Sequence, residues 1–171
     1  MNTVRARAIE QAEVLVWTDS LINPRIAALA PKTLSDLEAA ALPLTAITAW
    51  ELLFERLKIA QGSASSGQSL LIIGAAGGVG SILTQLARQL TGLTVIGTAS
   101  RPETADWVKQ LGAHHVLDHS QPLLPQLQQL GIQQVNQTVT IVPTVNKGAA
   151  AVAVAYTYAT STASVRCPSR A

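Results

Sequence analysis

A chain of 171 residues, 48% apolar and 13% charged, can hold one full-sized domain with a well-filled, mostly aliphatic core. A net charge of +2 is too small to argue for nucleic acid or an anionic membrane, and no stripe of Lys and Arg is visible. The single cysteine, Cys167, excludes an intrachain disulfide and a cysteine-based zinc cluster, and suits a reducing compartment.

The N-terminus has charges on both sides of a short apolar patch rather than a signal-peptide core. No stretch reaches the roughly 18 consecutive apolar residues of a membrane helix. A cytoplasmic protein with no membrane partner is the expectation.

In chain order, residues 1–30 read as irregular, with "EVLVW" at Glu13 to Trp17 as a short strand and "NPRIAALAPKTL" as a proline-punctuated linker. "TLSDLEAAALPLTAITAWELLFERLKI" reads as helix. Ser35 is its N-cap, and Glu38 completes a capping box. Pro43 is expected to end or kink this helix. A second helix follows from about Thr45 to Lys58, with Ile47, Trp50, Leu53, Phe54 and Leu57 on one apolar face.

After a polar loop the pattern alternates: strand "SLLIIGA", helix from Gly80, strand "LTVIGTAS", helix "RPETADWVKQLGA", strand "HHVLDH", helix "QPLLPQLQQLG", strand "QQVNQTVTIV". Such alternation predicts an α/β fold, doubly wound and Rossmann-type, with about four mostly parallel strands in the order 3-2-1-4. The dinucleotide-binding domain is expected over 31–143, between an N-terminal remnant at 1–30 and a low-order tail at 144–171. In that tail "AVAVAYTYAT" has strand character and is an aggregation hazard if unpaired.

The strand-to-helix junction "SLLIIGAAGGVGSILTQLA" carries the chemistry. Gly74, Gly77 and Gly80 fall three apart, and against the G-x-G-x-x-G fingerprint the first glycine is replaced by Ala75. Glycines here permit positive φ and close approach of the main chain to a pyrophosphate, while the helix start offers free N–H groups. A tight structural turn explains the glycines equally well in isolation. The surrounding strand–loop–helix–strand unit favours a nucleotide cradle.

After the second strand an NAD site ordinarily carries a carboxylate for the ribose hydroxyls. Here the residues are Ser100 and Arg101, a hydroxyl and a guanidinium suited to a 2′-phosphate. Glu103 falls in the first turn of the next helix. NADPH is therefore expected in preference to NADH.

The stretches "AAALPLTAITAWELLFERL", "LLIIGAAGGVGSILTQLARQL" and "GTASRPETADWVKQLGAHHVLDHS" resemble the medium-chain dehydrogenase/reductase superfamily. The similar branch is its zinc-free, quinone oxidoreductase-like one, in the zinc-type alcohol dehydrogenase-like subgroup, and only the cofactor-binding domain is covered. The resemblance implies hydride transfer from NADPH to a small-molecule quinone or enone. It places the pyrophosphate at Gly77, Gly78, Val79 and Gly80, the 2′-phosphate at Ser100 and Arg101, adenosine by His119, and the nicotinamide side near Thr45.

Members also carry a GroES-like catalytic domain ahead of this region and further β and α units after it. Neither is legible here, so a truncated or frame-disrupted form with low or no turnover is the expectation, and catalytic residues are unassigned. The competing reading is a non-enzymatic nucleotide-binding or interaction module. Oligomerisation of the chain with itself is left open.

His114, His115 and His119 do not make a metal site on this reading, since adjacent residues of a strand point to opposite faces. Asp118 beside His119 resembles a dyad, but no Ser or Cys nucleophile has a recognisable setting.

Overall fold

The computed structural model describes residues 31–146 and 149–157, with side chains through 141. The strand read at 13–17, most of the linker and Cys167 lie outside those residues. The chain forms two compact units, Met1–Thr45 and Ala46–Ala171, and helix α1 (Asp36–Trp50) crosses from one to the other.

In the first unit Ser35 and Glu38 form the expected capping box. The Ser35 hydroxyl and amide donate to Glu38 Oε2 at 2.7 and 2.9 Å, and the Glu38 amide donates back to Ser35 Oγ at 3.4 Å. These bonds hold the Glu38 carboxyl below its ordinary pKa. Pro43 does not end the helix, which runs straight through it. Proline deletes one ladder bond, but its neighbours Ala40, Ala41, Leu42 and Leu44 are strong helix formers. One helix therefore replaces the two expected.

In the second unit the helix continues as a π-helical stretch, Glu51–Arg56, with the Leu57 amide donating to the Leu52 carbonyl at 2.9 Å. The wider turn rotates every following residue relative to a 3.6-residue wheel. The apolar face expected here divides. Leu53 and Leu57 are buried together with Ala49 and Leu52, while Ile47 and Trp50 are exposed.

Asp36–Arg56 taken as one helix is 21 residues, long and apolar enough to cross a membrane by length and composition. Within the second unit, its residues Ala49, Leu52 and Leu53 join the core on one face of the sheet.

The sheet has the order β3-β2-β1-β4-β5. Strands β1 (Ser69–Ile73), β2 (Thr94–Thr98), β3 (His115–Leu117) and β4 (Gln137–Asn146) run parallel, as the alternating pattern requires. The fifth strand, β5 (Ala149–Thr157), lies within the alanine-rich segment and pairs antiparallel with β4, from Thr138↔Thr157 to Asn146↔Ala149. The fold is α/β and Rossmann-like.

Burial of both sheet faces explains why β1 is apolar without alternation, all five residues being buried. Leu70 and Ile72 enter a cluster with Val79, Leu83 and Ala87 of α2 (Gly78–Leu90) and Val108 of α3 (Pro102–Gln110). Leu71 and Ile73 enter a second cluster with Leu123 and Leu127 of α4 (Leu123–Gln129) on the opposite face. One strand thus ties both helix layers together, and its carboxyl end is held in register where the glycine loop begins.

Candidate functional site

Strands β1, β2 and β3 are parallel neighbours, so the segments that follow them share the carboxyl edge of the sheet, where nucleotides bind in such folds. Three loops meet this edge: 74–77 after β1, 99–101 after β2 and 118–122 after β3.

The first loop shows why Ala75 is tolerated in the fingerprint. The positive φ falls one residue earlier, at Gly74 (φ 87°), while among the described residues Lys58 alone is a non-glycine with positive φ. A Cβ at Gly74 would also collide with the Ile141 carbonyl. Ala75 needs no left-handed conformation and is fully buried in the core.

Gly80 is demanded by packing. A Cβ there would strike the Gly74 carbonyl and lie 2.8 Å from Ala75 Cα. Gly77 differs from both: its backbone is extended (φ −76°, ψ 172°), and an added Cβ would meet only the Gly74 carbonyl oxygen, at 3.4 Å. The folded chain does not need glycine at 77. Its bare backbone opens outward, and Gly77 and Gly78 are exposed.

α2 begins at Gly78 with Gly77 as N-cap and no side-chain cap. Its first intrahelical acceptor is the Gly77 carbonyl, taken by the Ser81 amide at 2.7 Å. The amides of Gly78, Val79 and Gly80 therefore have no partner within the helix. Glycines at 77 and 78 leave a positive helix end open to an anion. A dinucleotide pyrophosphate fits this bare, uncapped turn.

In the second loop Ser100 and Arg101 are both exposed, and Arg101 is the N-cap of α3, followed by Pro102 and then Glu103 in the first turn. Arg101 makes no salt bridge among the described residues, whereas Lys109 of the same helix pairs with Asp106 at 3.7 Å. His119 is exposed in the third loop, two residues beyond β3. Thr45 lies in α1 in the other compact unit, its hydroxyl donating to the Leu42 carbonyl at 3.0 Å. Gly77, Ser100, Arg101 and His119 thus sit on loops of one sheet edge, Gly78, Val79 and Gly80 form the first turn of α2 beside them, and Thr45 lies in α1.

Three supports were not legible in advance. Thr98, buried at the end of β2, accepts the Gly74 amide at 3.2 Å and so ties the glycine loop to the neighbouring strand. A hydroxyl in the otherwise apolar run "VIGTA" is the signal that points to it. Gln126 of α4 clamps the third loop, accepting the Asp118 amide at 2.9 Å and donating to the Asp118 carbonyl at 2.8 Å. Trp107 of α3 donates from Nε1 to Ser81 Oγ at 3.1 Å.

Asp118 builds the loop rather than a dyad. Its carboxylate accepts the hydroxyl and amide of Ser120 at 2.7 and 2.8 Å, bonds that hold its pKa low. His114 pairs with β2, its Nδ1 accepting the Val95 amide at 2.9 Å and its own amide donating to the Val95 carbonyl at 2.8 Å. β3 covers only His115–Leu117, so His115 and His119 share no unbroken strand. Among the described residues no group of three His, Cys, Asp or Glu is arranged to hold a metal ion.

The family model of zinc-binding dehydrogenases matches residues 78–163. A zinc-type alcohol dehydrogenase-like protein of Staphylococcus aureus (strain COL) is 48% identical over 114 residues, 66% of this chain and 34% of its own length. Among solved structures, a zinc-dependent alcohol dehydrogenase candidate from Rhizobium etli is 55% identical with a TM-score of 0.64, over 70% of this chain and 35% of that one. Escherichia coli quinone oxidoreductase, solved with NADPH, is 31% identical with a TM-score of 0.55, over 64% and 32%. The chain thus spans about a third of the length of the relatives it matches.

Because the match takes in half the sequence and starts at the helix that opens the glycine cradle, the chain belongs to the zinc-binding dehydrogenase family, within the medium-chain dehydrogenases and reductases, through the cofactor-binding part of their fold.

Proposed function

We propose that the chain binds NADPH at the carboxyl edge of its sheet and serves as the cofactor domain of an enzyme that reduces a quinone or enone. Gly77 carries the reading: a glycine that folding does not require stands at an uncapped helix start. The amides of Gly78, Val79 and Gly80 hold the pyrophosphate, and the extended backbone of Gly77 lets it approach closely. Ser100 and Arg101 hold the 2′-phosphate, the guanidinium by paired N–H donors. His119 lies against adenosine. Thr45 is assigned to the nicotinamide side through the family resemblance alone.

Bound NADPH would supply hydride from its nicotinamide. This chain's residues bind it and fix its orientation. The NADPH bound by the Escherichia coli relative supports the choice of nucleotide. Binding without catalysis is the second reading.

The test is thermal denaturation of the purified chain titrated with NADPH and NADH. Saturation at a hundredfold excess over Kd should stabilise the folded state by about 2.7 kcal/mol. The shift should be larger with NADPH than with NADH, and Arg101→Ala should abolish the difference. No shift with either nucleotide overturns the cradle. A shift without NADPH-dependent quinone or enone reduction favours the binding module.

A further inference from the structure

We infer that Trp107 is a positioning residue that couples the pyrophosphate cradle to the 2′-phosphate pair, so that it sets the preference for NADPH over NADH. The inference rests on the site proposed above. Ser81 closes the first turn of α2, its amide donating to the Gly77 carbonyl at 2.7 Å, next to the amides assigned to the pyrophosphate. Its hydroxyl accepts Trp107 Nε1 at 3.1 Å from α3, the helix whose N-cap is Arg101.

A second contact packs α3 against β2 beside the glycine loop. Gly97 leaves so little room between layers that a Cβ on it would lie 2.5 Å from Val108 Cγ1 and 3.0 Å from Ala75 Cβ. The missing side chain lets α3 press on β2 beside the cradle. Trp107 and Val108, adjacent in α3, thus hold it at two points, one polar and one apolar.

Burial does not account for Trp107, which is 47% exposed while Ser81 is only 8% exposed. Its indole has a donor and no acceptor, and that donor is spent on the hydroxyl of the residue whose amide closes the cradle's first turn. α3 is a short rigid rod with Arg101 at one end and this bond in its second turn. A ligand bearing both a pyrophosphate and a 2′-phosphate depends on the spacing the rod sets. A ligand lacking the 2′-phosphate depends on it less.

The experiment is calorimetric titration of NADPH and NADH into wild type, Trp107→Phe, Ser81→Ala and the double variant, with thermal midpoints measured in parallel. Trp107→Phe keeps an aromatic ring and removes the donor, and Ser81→Ala keeps the helix and removes the acceptor. Each single variant should weaken NADPH about threefold to tenfold, the size of one net hydrogen bond. Each should change NADH by less, leaving a smaller NADPH/NADH ratio. The double variant should lose no more than either single one. Midpoints should hardly move, because water can accept from a half-exposed indole.

An unchanged ratio in both single variants overturns the inference while leaving the NADPH site standing. Equal losses for both nucleotides with a lowered midpoint also overturn it, since they mark a merely structural bond. A wild-type chain that binds neither nucleotide overturns the site and the inference together.

Discussion

Alanine substitution at Gly77 and at Gly80 should separate the glycine that serves a ligand from the glycine that serves the fold. At Gly80 the new Cβ strikes the Gly74 carbonyl and sits 2.8 and 2.9 Å from Ala75 Cα and carbonyl carbon. Ordinary contact begins near 3.4 Å, so the helix must retreat by more than half an ångström against backbone on every side. Overpacking of this kind costs about 1–3 kcal/mol. The gain from Gly→Ala in a helix is at most about 1 kcal/mol, so Gly80→Ala should be destabilising. At Gly77 the Cβ meets a single oxygen at 3.4 Å and φ is already ordinary for alanine. Stability there should stay level or rise by about 0.4–1 kcal/mol through the unfolded chain.

Binding should reverse this order of innocence. A methyl group on Gly77 stands where the pyrophosphate must approach, and NADPH affinity should fall at least about tenfold, or about 1.4 kcal/mol. Urea denaturation gives the stabilities, and calorimetric titration gives the affinities. Gly77→Ala with unchanged NADPH affinity would refute the assignment of its bare backbone to the ligand. Gly80→Ala as stable as wild type would refute the packing account.

Two further outcomes are expected. Thr98→Val should cost about 1–3 kcal/mol in urea denaturation, because it leaves the Gly74 amide without its acceptor in a partly buried loop, and a loss below about 0.5 kcal/mol would mean that the loop holds its shape unaided. Desolvation, helped by the charges of Arg88 and His115, lowers the His114 pKa below its ordinary 6.5. The unfolded chain therefore takes up this proton first as pH falls, so the contribution is fully present above about 6.5 and is lost as pH falls through the lower folded value. Thermal midpoints over pH 5–8 should show this slope in wild type and not in His114→Gln. The same slope in both would assign it elsewhere, though not to Glu38 or Asp118, whose ordinary values of 4.5 and 3.8 are also lowered and which therefore titrate below that window.

By itself the sequence determined the parallel α/β sheet, its β3-β2-β1-β4 order and the capping box at Ser35. These follow from local signals: apolar runs fit for two-sided burial, short links, and a serine three residues before a glutamate. It also located the glycine loop, since a strand running directly into an amphipathic helix leaves few other places for a tight turn. Tertiary structure decided the rest, because it depends on residues far apart in the chain. That the positive φ falls at Gly74 rather than Ala75 depends on the approach of Ile141 in β4. That Gly80 is needed for packing and Gly77 is not depends on which atoms surround a Cβ that neither residue has. The break expected at Pro43 is absent, and the helix passes into a π-turn that no composition cue marks. The bonds from Thr98 to Gly74, Gln126 to Asp118 and Trp107 to Ser81 join segments that no periodicity relates, and only the folded sheet edge brings each donor to its acceptor.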